Sequence, residues 1–442
     1  MDYNKPLDLL HMAEETEWVD KVNMARMDGH LCSWATGFHP RNLSCRLDGG
    51  FLNGSYDVGH KLVFDNGTTW LLRLPRAGSV SPEYADEKIA MEVEALHVIQ
   101  EKTSLSVPEV YAWGLARENR LGLGPFILIN FINGICLGEV FGGGSSRLIR
   151  EDIPDADIES LYRQMAHFML QFYRIDFSQI GSLPTLQTKL PAPGHPLTWK
   201  AHEILRVGGV DTLVCGDRTN GFSTTRDYSE YVISQDWRQL RLQTNSIVGP
   251  HSARSRYASL KILESLIPEL THPTYDHGPS KLIYMEWVYA GPAQLFGSAP
   301  WWLLMDRPLN EEWDFDEDDA PEATDRYFRY FEIFIRMLSD EEAMWLHMLL
   351  SSDLFDTPTF PCMQLRKFKG AEWWDKRLKE NGDTEEVETF VASKLEDLAA
   401  YDKIKDKVEH FKALMDSKEI ATTDFISSVY SLLRSAQEMC SD

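Results

Sequence analysis

Asp, Asn, His, Ser and Cys residues, which could perform chemistry, rarely occur in this sequence at the spacings that are typical of active sites. Val214–Phe222 (VCGDRTNGF) contains a Gly-Asp pair like that of catalytic loops in which an Asn follows the Asp by five positions. Here that position holds Phe222 and Asn220 comes too early, so we reject the segment. His272 and His277 have a Pro between them and share no predictable face for a metal, which favours a polar loop. No Ser lies in a GxSxG elbow, and no Cys has the local signature of a nucleophile.

The composition is that of a folded globular protein with an acidic surface. Of the 442 residues, 43% are hydrophobic, and 68 acidic residues outnumber 44 basic ones, which gives a formal net charge of -24 at pH 7. Solubility is the simplest interpretation of this charge. Because an acidic surface repels polyphosphate chains, nucleic acid is not an expected partner, whereas a neutral or cationic small molecule is compatible with it. Nothing in the sequence identifies a protein partner.

Cysteine usage and the apolar segments favour a cytoplasmic location. The six cysteines form no CxxC pair and no metal-like spacing, as is usual in a reducing compartment: Cys32, Cys45, Cys136, Cys215, Cys362 and Cys440. The first residues alternate acidic and apolar types and lack the basic region of a secretion signal. The longest apolar stretch, Pro125 to Val140, is interrupted by Asn, Gly and Glu and falls short of a membrane span. We therefore expect no membrane contact.

A strand-rich block precedes a mainly helical remainder. After a helix predicted for residues 14–30, Ser55–Phe64 and Thr68–Leu74 alternate in strand fashion around Asp65-Asn66-Gly67, a strong hairpin signal. This block is completed by one helix, with its charged residues on the face opposite the apolar stripe, and two strands: Pro82–Lys102, Ser106–Gly114 and Pro125–Phe131. Further helices are predicted at Asp155–Tyr173, Thr224–Thr244, Ser252–Leu266, Thr324–Ser339, Glu341–Leu350, Glu385–Leu398 and Asp402–Met415.

Several segments together resemble fungal proteins of the aminoglycoside-phosphotransferase family. The resemblance is carried by Gly54–Arg76 (GSYDVGHKLVFDNGTTWLLRLPR), Asp86–Gly114 (DEKIAMEVEALHVIQEKTSLSVPEVYAWG), Arg163–Thr185 (RQMAHFMLQFYRIDFSQIGSLPT) and Tyr289–Met305 (YAGPAQLFGSAPWWLLM). It covers most of the chain and implies an α+β, protein-kinase-like fold of two lobes. Residues 1–130 would form a small antiparallel β lobe with one packed helix, residues 131–134 a hinge, and residues 135–442 a larger, mainly α-helical lobe.

The resemblance also implies how a nucleotide would be held, with ATP as the expected cofactor. The turn Gly54-Ser55-Tyr56 would lie over the phosphates and offer backbone N–H groups. Arg73 would take the place of the phosphate-binding Lys of kinases, with Glu92 as its ion-pair partner. A purely structural bridge between Arg73 and Glu92 is an equally supported alternative.

The expected adenine contacts lie further along the same block. Ile129 to Phe131 would form the hinge strand, with Ile129 and Phe131 offering backbone groups to the adenine and apolar side chains to its ring. As a pattern this is weak, since any buried strand has the same composition.

The segment Tyr275–Ala293 (YDHGPSKLIYMEWVYAGPA) departs from the family pattern, which has a strand, an HxDxxxxN catalytic loop, a hairpin and then the Asp of a DWE sequence. Here Lys281-Leu282-Ile283 runs directly into Tyr284. On the most natural alignment Glu286 matches the Glu of DWE, which leaves Tyr284 in place of the metal-binding Asp. The catalytic base and both metal ligands are then missing, so the catalytic residues stay unassigned, and we expect no Mg²⁺ bound in the usual way and no ordinary kinase turnover. We also expect an open, poorly formed cleft floor.

Three hypotheses remain. The first is a pseudokinase-like protein that keeps the fold, with nucleotide or small-molecule binding, and acts as a binding or accessory protein. The second is an enzyme that uses the kinase scaffold for other chemistry, for instance on a secondary metabolite. The third is that the reading frame lacks a segment, in which case the complete product is an ATP-dependent phosphotransferase acting on a small-molecule hydroxyl.

Overall fold

The computed structural model describes residues 4–143, 146–150, 152–183, 194–214, 218–271, 276–277, 279–283, 287–296 and 360–439. The helices predicted at Thr324–Ser339 and Glu341–Leu350 lie outside these ranges. Within them the fold is mixed α/β, with one large antiparallel sheet near the N-terminal end and a mainly helical remainder. The sequence analysis predicted this coarse arrangement.

The large sheet is built from β1 Cys45–Leu47, β2 Leu52–Asn53, β3 Asp57–Phe64, β4 Thr69–Pro75, β5 Val110–Gly114 and β6 Phe126–Asn130. The strands run in the order β1-β3-β4-β6-β5, and β2 also pairs with β3. The predicted hairpin is confirmed, since β3 and β4 pair from Asp57 opposite Pro75 to Val63 opposite Thr69. Gly67 in the connecting turn has a φ of 84°, a conformation that favours glycine.

Helices cover both faces of this sheet. The alternate residues Trp70, Leu72 and Leu74 of β4 pack with α1 (Lys5–Met27) and α2 (His30–Thr36). The predicted first helix began too late, because Pro is tolerated in the first turn of a helix, and α1 starts at Lys5. Gly29, with a φ of 72°, separates α1 from α2.

The opposite face of the sheet packs against α3 (Ala85–Lys102). The charged residues of α3, which were expected to face solvent, include several that are buried: Glu87, Lys88, Glu92 and Glu94. The reason is that α3 also packs on a second sheet, through residues such as Met91 and Ile99. Lys88, Glu92 and Glu87 form ion pairs instead of reaching water; their partners are Asp57 and Arg73 of the large sheet and Arg218 of the segment before α7.

The second sheet has the strand order β11-β10-β9, formed by β9 Asp176–Phe177, β10 Ser280–Ile283 and β11 Tyr289–Gly291. β10 pairs antiparallel with both neighbours, and Ile283 lies opposite Tyr289. Only residues 284–288 therefore connect β10 to β11. A short ribbon of β7 Gly142–Gly143 and β8 Ser146–Ile149 follows the small helix α4 Leu137–Phe141.

The remaining helices are α5 Asp155–Tyr173, α6 Trp199–Gly208, α7 Thr225–Leu242, α8 Pro250–Leu270, α9 Ala293–Phe296, α10 Phe360–Lys369, α11 Ala371–Gly382, α12 Glu385–Asp416 and α13 Thr422–Met439. The predicted bounds of α5 are confirmed. The two helices predicted between 385 and 415 are one, because the Ala-Ala-Tyr sequence between them contains no helix breaker. None of the helices in the described part of the chain combines the length and the apolar character needed to cross a bilayer.

Candidate functional site

Arg73 lies on β4 next to Leu71 and on the same face, which points towards α3. Its guanidinium donates one hydrogen bond to Glu92 Oε1 and another to Asp57 Oδ2. The predicted contact between Arg73 and Glu92 is therefore present, and the structure adds Asp57 to it. Asp57 reaches Arg73 because it lies diagonally across the β3–β4 pairing, two positions from Gly59, which pairs with Arg73 directly.

Lys88 on α3 completes what we call the ionic quartet, namely Asp57, Arg73, Lys88 and Glu92. Lys88 Nζ lies 3.2 Å from Asp57 Oδ2 and 3.9 Å from Glu92 Oε2. The side chains of Lys88, Asp57 and Glu92 are 1%, 6% and 11% exposed, and that of Arg73 is 25% exposed. Two cations thus face two anions, and the quartet offers no net positive charge to a phosphate.

The turn Gly54-Ser55-Tyr56 forms the tip of the β2–β3 hairpin. The Gly54 N–H donates to the Asp57 carbonyl at 2.9 Å, so it already has a partner within the hairpin. The Tyr56 hydroxyl accepts a hydrogen bond from Trp199 Nε1 at 2.6 Å and donates to Glu203 Oε1 at 3.2 Å. Burial, together with the Glu203 carboxylate, raises the pKa of Tyr56. The turn is therefore attached to α6 by the Tyr56 side chain.

Aromatic rings fill the space beside the quartet, and we call Tyr56, Trp199, His202 and Trp287 the aromatic cluster. The His202 ring stacks on Trp287 with centroids 4.3 Å apart, and the Tyr56 ring meets Trp287 edge-on at 5.6 Å. Lys88 Nζ lies 5.5 Å from the centre of the Trp287 ring, within cation–π range. The cluster thus links α6, the hairpin tip and the quartet.

The titratable groups of the cluster are held in fixed charge states. Burial lowers the pKa of His202, and its Nε2 lies 3.1 Å from the Ser81 backbone N–H, which donates to it. Burial alone would raise the pKa of Glu203, but hydrogen bonds from His202 and Arg206 bring it down to about 2. His202 is therefore neutral and Glu203 is ionised and ion-paired, as is usual for residues with a structural role. Neither pKa lies near neutral pH, where a group that transfers protons would need it.

The predicted hinge residues are engaged within the sheet. Ile129 is 5% exposed and pairs with Leu71 on one side and Val110 on the other. The Phe131 N–H donates to the Thr69 carbonyl at 3.0 Å. Adenine contacts at this hinge would therefore involve the exposed residues 132–136 that follow, rather than the Phe131 N–H.

The sequence analysis overlooked Asp276. In the pattern of the family that the sequence resembles, a hairpin follows the catalytic loop; if β10 and β11 stood for that hairpin, the loop would fall on the residues before β10. Asp276 stands there, five positions before Lys281, which is the spacing from Asp to Asn in HxDxxxxN. Asp276 Oδ1 accepts a hydrogen bond from the Arg226 backbone N–H at 3.1 Å, at the start of α7. The spacing did not stand out in the sequence because the position five residues after Asp276 holds Lys281 and not the Asn of the pattern.

Lys281 is buried on β10, where it is 5% exposed. Its ammonium forms an ion pair with the Asp176 carboxylate of β9 and lies 4.3 Å from the centre of the Tyr173 ring. Tyr284 and Glu286, the residues predicted to stand at the DWE position, lie outside the described residues, as do His272 and Asp217 of the rejected candidates. Among the residues that the structure describes, no group of three or more His, Cys, Asp or Glu side chains is placed to hold a metal ion.

No family profile matches the chain, and no curated protein matches it either. Among solved structures, the chain is similar to a candidate fructosamine-3-kinase from Thermobifida fusca YX-ER1, with a TM-score of 0.35 and 11% identity over 76% of this chain and 95% of that one. It is also similar to a type I macrolide 2'-phosphotransferase, with a TM-score of 0.26 and 10% identity over 80% of this chain and 97% of that one. Both similarities are too weak to assign a family or an activity.

Proposed function

We propose that the protein is a kinase-like binding or accessory protein that does not transfer phosphoryl groups. The observation that carries this proposal is the position of Lys281, five residues after Asp276 and immediately inside β10. In the family pattern this position belongs to an Asn whose oxygen binds Mg²⁺. An ammonium group has three donors and no acceptor, so Lys281 cannot act as a metal ligand.

The surroundings of Lys281 support the same conclusion. Its charge is matched by Asp176 and its side chain is buried, so the residue is part of the packing between β9 and β10. A Mg²⁺ ion close to this ammonium would be repelled by it. Phosphoryl transfer depends on metal ions that neutralise the charge of the phosphates, and losing a ligand removes much of the rate acceleration.

The ionic quartet and the aromatic cluster add to this argument. The guanidinium of Arg73 is occupied by Asp57 and Glu92, so its charge serves the fold. The tip of the β2–β3 hairpin is bonded to α6 through Tyr56. With these groups bonded within the fold, we expect a binding site for a partner or a small molecule elsewhere on the surface.

The test measures phosphate transfer and metal-dependent nucleotide binding on the purified chain. With radiolabelled ATP, Mg²⁺ and a panel of small alcohols and amino sugars, we expect no labelled product above background. In a thermal-shift assay we expect Mg²⁺ to add nothing to the effect of ATP on the melting temperature. Turnover on the order of 10 per second, ordinary for enzymes, or a Mg²⁺-dependent shift in the wild-type chain would overturn the proposal.

Two substitutions at one position sharpen this test. Lys281→Asn supplies an amide oxygen at the metal-ligand position, whereas the matched control Lys281→Met removes the charge without adding an acceptor. Because the second metal ligand is still missing in both variants, we expect no Mg²⁺-dependent response to ATP in Lys281→Met or in Lys281→Asn. A response in Lys281→Asn alone would show that one substitution restores a metal site and would contradict the argument that both ligands are lost. Sequencing the transcript between the codons for Ile283 and Tyr284 addresses the alternative of an incomplete reading frame, because an additional segment there that supplies the missing metal ligands would restore the phosphotransferase hypothesis.

A further inference from the structure

A cavity of about 550 Å³ lies away from the quartet, between α1, the loop of residues 78–83, the end of α6 and the helices α12 and α13. This volume is within the range of small-molecule sites. Apolar side chains such as Leu10, Leu205 and Ile404 line much of it. The nucleotide contacts predicted from the sequence are not among its lining residues, so it is a separate site.

One face of α1 runs along this cavity. Asn4, Leu7, His11 and Glu14 all line it, and their spacing of three, four and three places them on one side of the helix. The ten steps from Asn4 to Glu14 correspond to about 15 Å along a helix axis, at 1.5 Å per residue. The lining part of α1 thus has Asn4 at one end and Glu14 at the other, with Leu7, Leu10 and His11 between them.

Asn4 is unusual for a residue at the start of a helix. It occupies the N-cap position of α1, but its side chain makes no capping hydrogen bond. The residue is 6% exposed, and its Oδ1 has no hydrogen-bond partner among the described residues. Because buried polar groups are nearly always paired, an acceptor left without a partner among the described residues at the edge of a cavity can accept a hydrogen bond from a bound molecule.

The other end of the stretch is acidic. Glu14 accepts a hydrogen bond from the Tyr430 hydroxyl at 2.5 Å, which leaves further acceptor capacity on its carboxylate. Glu83 and Asp211 also line the cavity, as do the cations Arg206 and Arg238. Arg206 is already matched by Glu203, which lies 2.9 Å away and outside the lining. The lining therefore carries three carboxylates, those of Glu14, Glu83 and Asp211, and two guanidinium groups, one of which pairs with a carboxylate outside the cavity.

We propose that this cavity binds an aliphatic amine whose ammonium group lies at Glu14 and whose far end donates a hydrogen bond to Asn4. An ammonium group has donors only, which complements the carboxylate. The apolar lining between the two ends takes the carbon chain. This inference names a site and a ligand class for the binding role proposed above, and it rests on that role.

The test uses four probes that share an eight-carbon chain: octylamine, octanol, octanoate and aminooctanol. Titration calorimetry on the full chain should show octylamine binding at least about tenfold more tightly than octanol or octanoate. Aminooctanol should bind several-fold more tightly than octylamine, because its hydroxyl supplies the donor for Asn4. Equal affinity for octanoate and octylamine, or no binding of either amine, would overturn the proposal.

Variants of Glu14 and Asn4 test which end of the ligand each residue binds. Glu14→Gln keeps an acceptor for Tyr430 but removes the charge, and should abolish the preference for octylamine over octanol. Asn4→Ala should abolish the advantage of aminooctanol over octylamine and leave octylamine itself unchanged. The control Asn133→Ala removes an exposed Asn of the predicted hinge and should alter neither affinity. If Asn133→Ala matches Asn4→Ala, the assignment of Asn4 is wrong.

Val214 lines the cavity and is 70% exposed, so Val214→Trp can fill the opening without disturbing the core. It should weaken amine binding at least about tenfold; unchanged binding would place the probes elsewhere and refute the site. Circular dichroism and melting temperatures without ligand show whether each variant is folded. The phosphate-transfer assay is independent of these titrations: phosphate transfer together with amine binding at this cavity would refute the proposed function but keep the site.

Discussion

The Lys88 ammonium lies 3.2 Å from the Asp57 carboxylate, and these side chains are only 1% and 6% exposed. A charge pair so deeply buried is costly to break, because the partner that remains is left without compensation in a region with little water. Arg73 and Glu92 extend the pair into the ionic quartet, which joins β3, β4 and α3. The ionic quartet therefore links this sheet to α3 through buried charges.

Replacing Lys88 with Met should lower the free energy of unfolding by about 3 kcal/mol, because the two buried carboxylates of Asp57 and Glu92 then share the single cation Arg73. Urea denaturation followed by tryptophan fluorescence measures this directly. The double variant Asp57→Asn with Lys88→Met should recover part of the loss, since neither charge is then left alone. Arg46→Met is the control, because the Arg46–Asp48 pair is 69% and 40% exposed and should contribute less than about 1 kcal/mol. A loss for Lys88→Met no larger than for Arg46→Met would contradict the prediction.

Acidification should destabilise the protein through His60. This residue is fully buried on β3, and burial, with the nearby charge of Arg26, lowers its pKa from 6.5 to about 4. Between these pH values the unfolded chain binds a proton that the folded chain excludes, so stability is complete above pH 6.5 and is lost as the pH falls towards 4. The linkage corresponds to at most about 3 kcal/mol.

Urea unfolding at about pH 7 and about pH 4.5 separates this contribution from others. His60→Asn should reduce the difference in unfolding free energy between the two pH values, whereas His410→Asn, at an exposed position of α12, should leave it unchanged. The burial of His11 lowers its pKa to about 4 as well, so a smaller slope should persist in His60→Asn. An identical slope in wild type and His60→Asn would exclude His60 as the cause.

Cys32 on α2 should be an unusually acidic thiol. The side chain of its neighbour Cys45 lies 3.5 Å from the Cys32 carbonyl, and both thiols are half-buried. A hydrogen bond from Cys45 lowers the pKa of Cys32 from 9.0 to about 7, while the pKa of Cys45 is raised. Alkylation of Cys32 by iodoacetamide, followed by peptide mass spectrometry, should be half-maximal near pH 7. Cys45→Ala should move this midpoint upwards, and a midpoint near 9 in the wild type would show that the thiol is ordinary.

Gly78 is the residue at which the loop after β4 packs against α1. It has a φ of 78°, and a Cβ built on it would lie 2.3 Å from the His11 carbonyl oxygen. Gly78→Ala should therefore combine backbone strain with a clash and destabilise the protein by more than about 2 kcal/mol. Gly67→Ala is a matched control, because Gly67 has a similar φ of 84° but no atom within 4 Å of the added Cβ. Equal melting temperatures for the two variants would mean that the loop moves away from α1 freely.

Elements whose conformation depends on a few neighbouring residues, such as the β3–β4 hairpin, could be predicted from the sequence. The Asp65-Asn66-Gly67 turn predicted the hairpin because its backbone chemistry suits only a few conformations. The pairing of Arg73 with Glu92 was expected from the family resemblance and not from a local pattern. α6 was missed although both its ends carry signals. The Thr198 side chain accepts a hydrogen bond from the Ala201 N–H, and Gly209 follows the helix with a φ of 70°.

The aromatic cluster could not be predicted in this way. Tyr56 and Glu203 are 147 residues apart in the sequence, and no periodicity of either segment indicates that they meet. The burial of Lys88 was hidden for the same reason, since its partner Asp57 lies in another element, 31 residues away. Contacts of this kind depend on how whole elements pack, which a short window of sequence does not record.

The pairing of α1 with α13 has a consequence for how the protein is made. Leu9 and Leu10 pack against Phe425 and Val429, and Glu14 bonds to Tyr430 across 416 positions of sequence. During translation Leu9 and Leu10 of α1 stay exposed to solvent until α13 has left the ribosome, because the residues that bury them are made last. For most of its synthesis the nascent chain therefore exposes apolar side chains of α1, and we expect a chaperone to bind the chain at this helix.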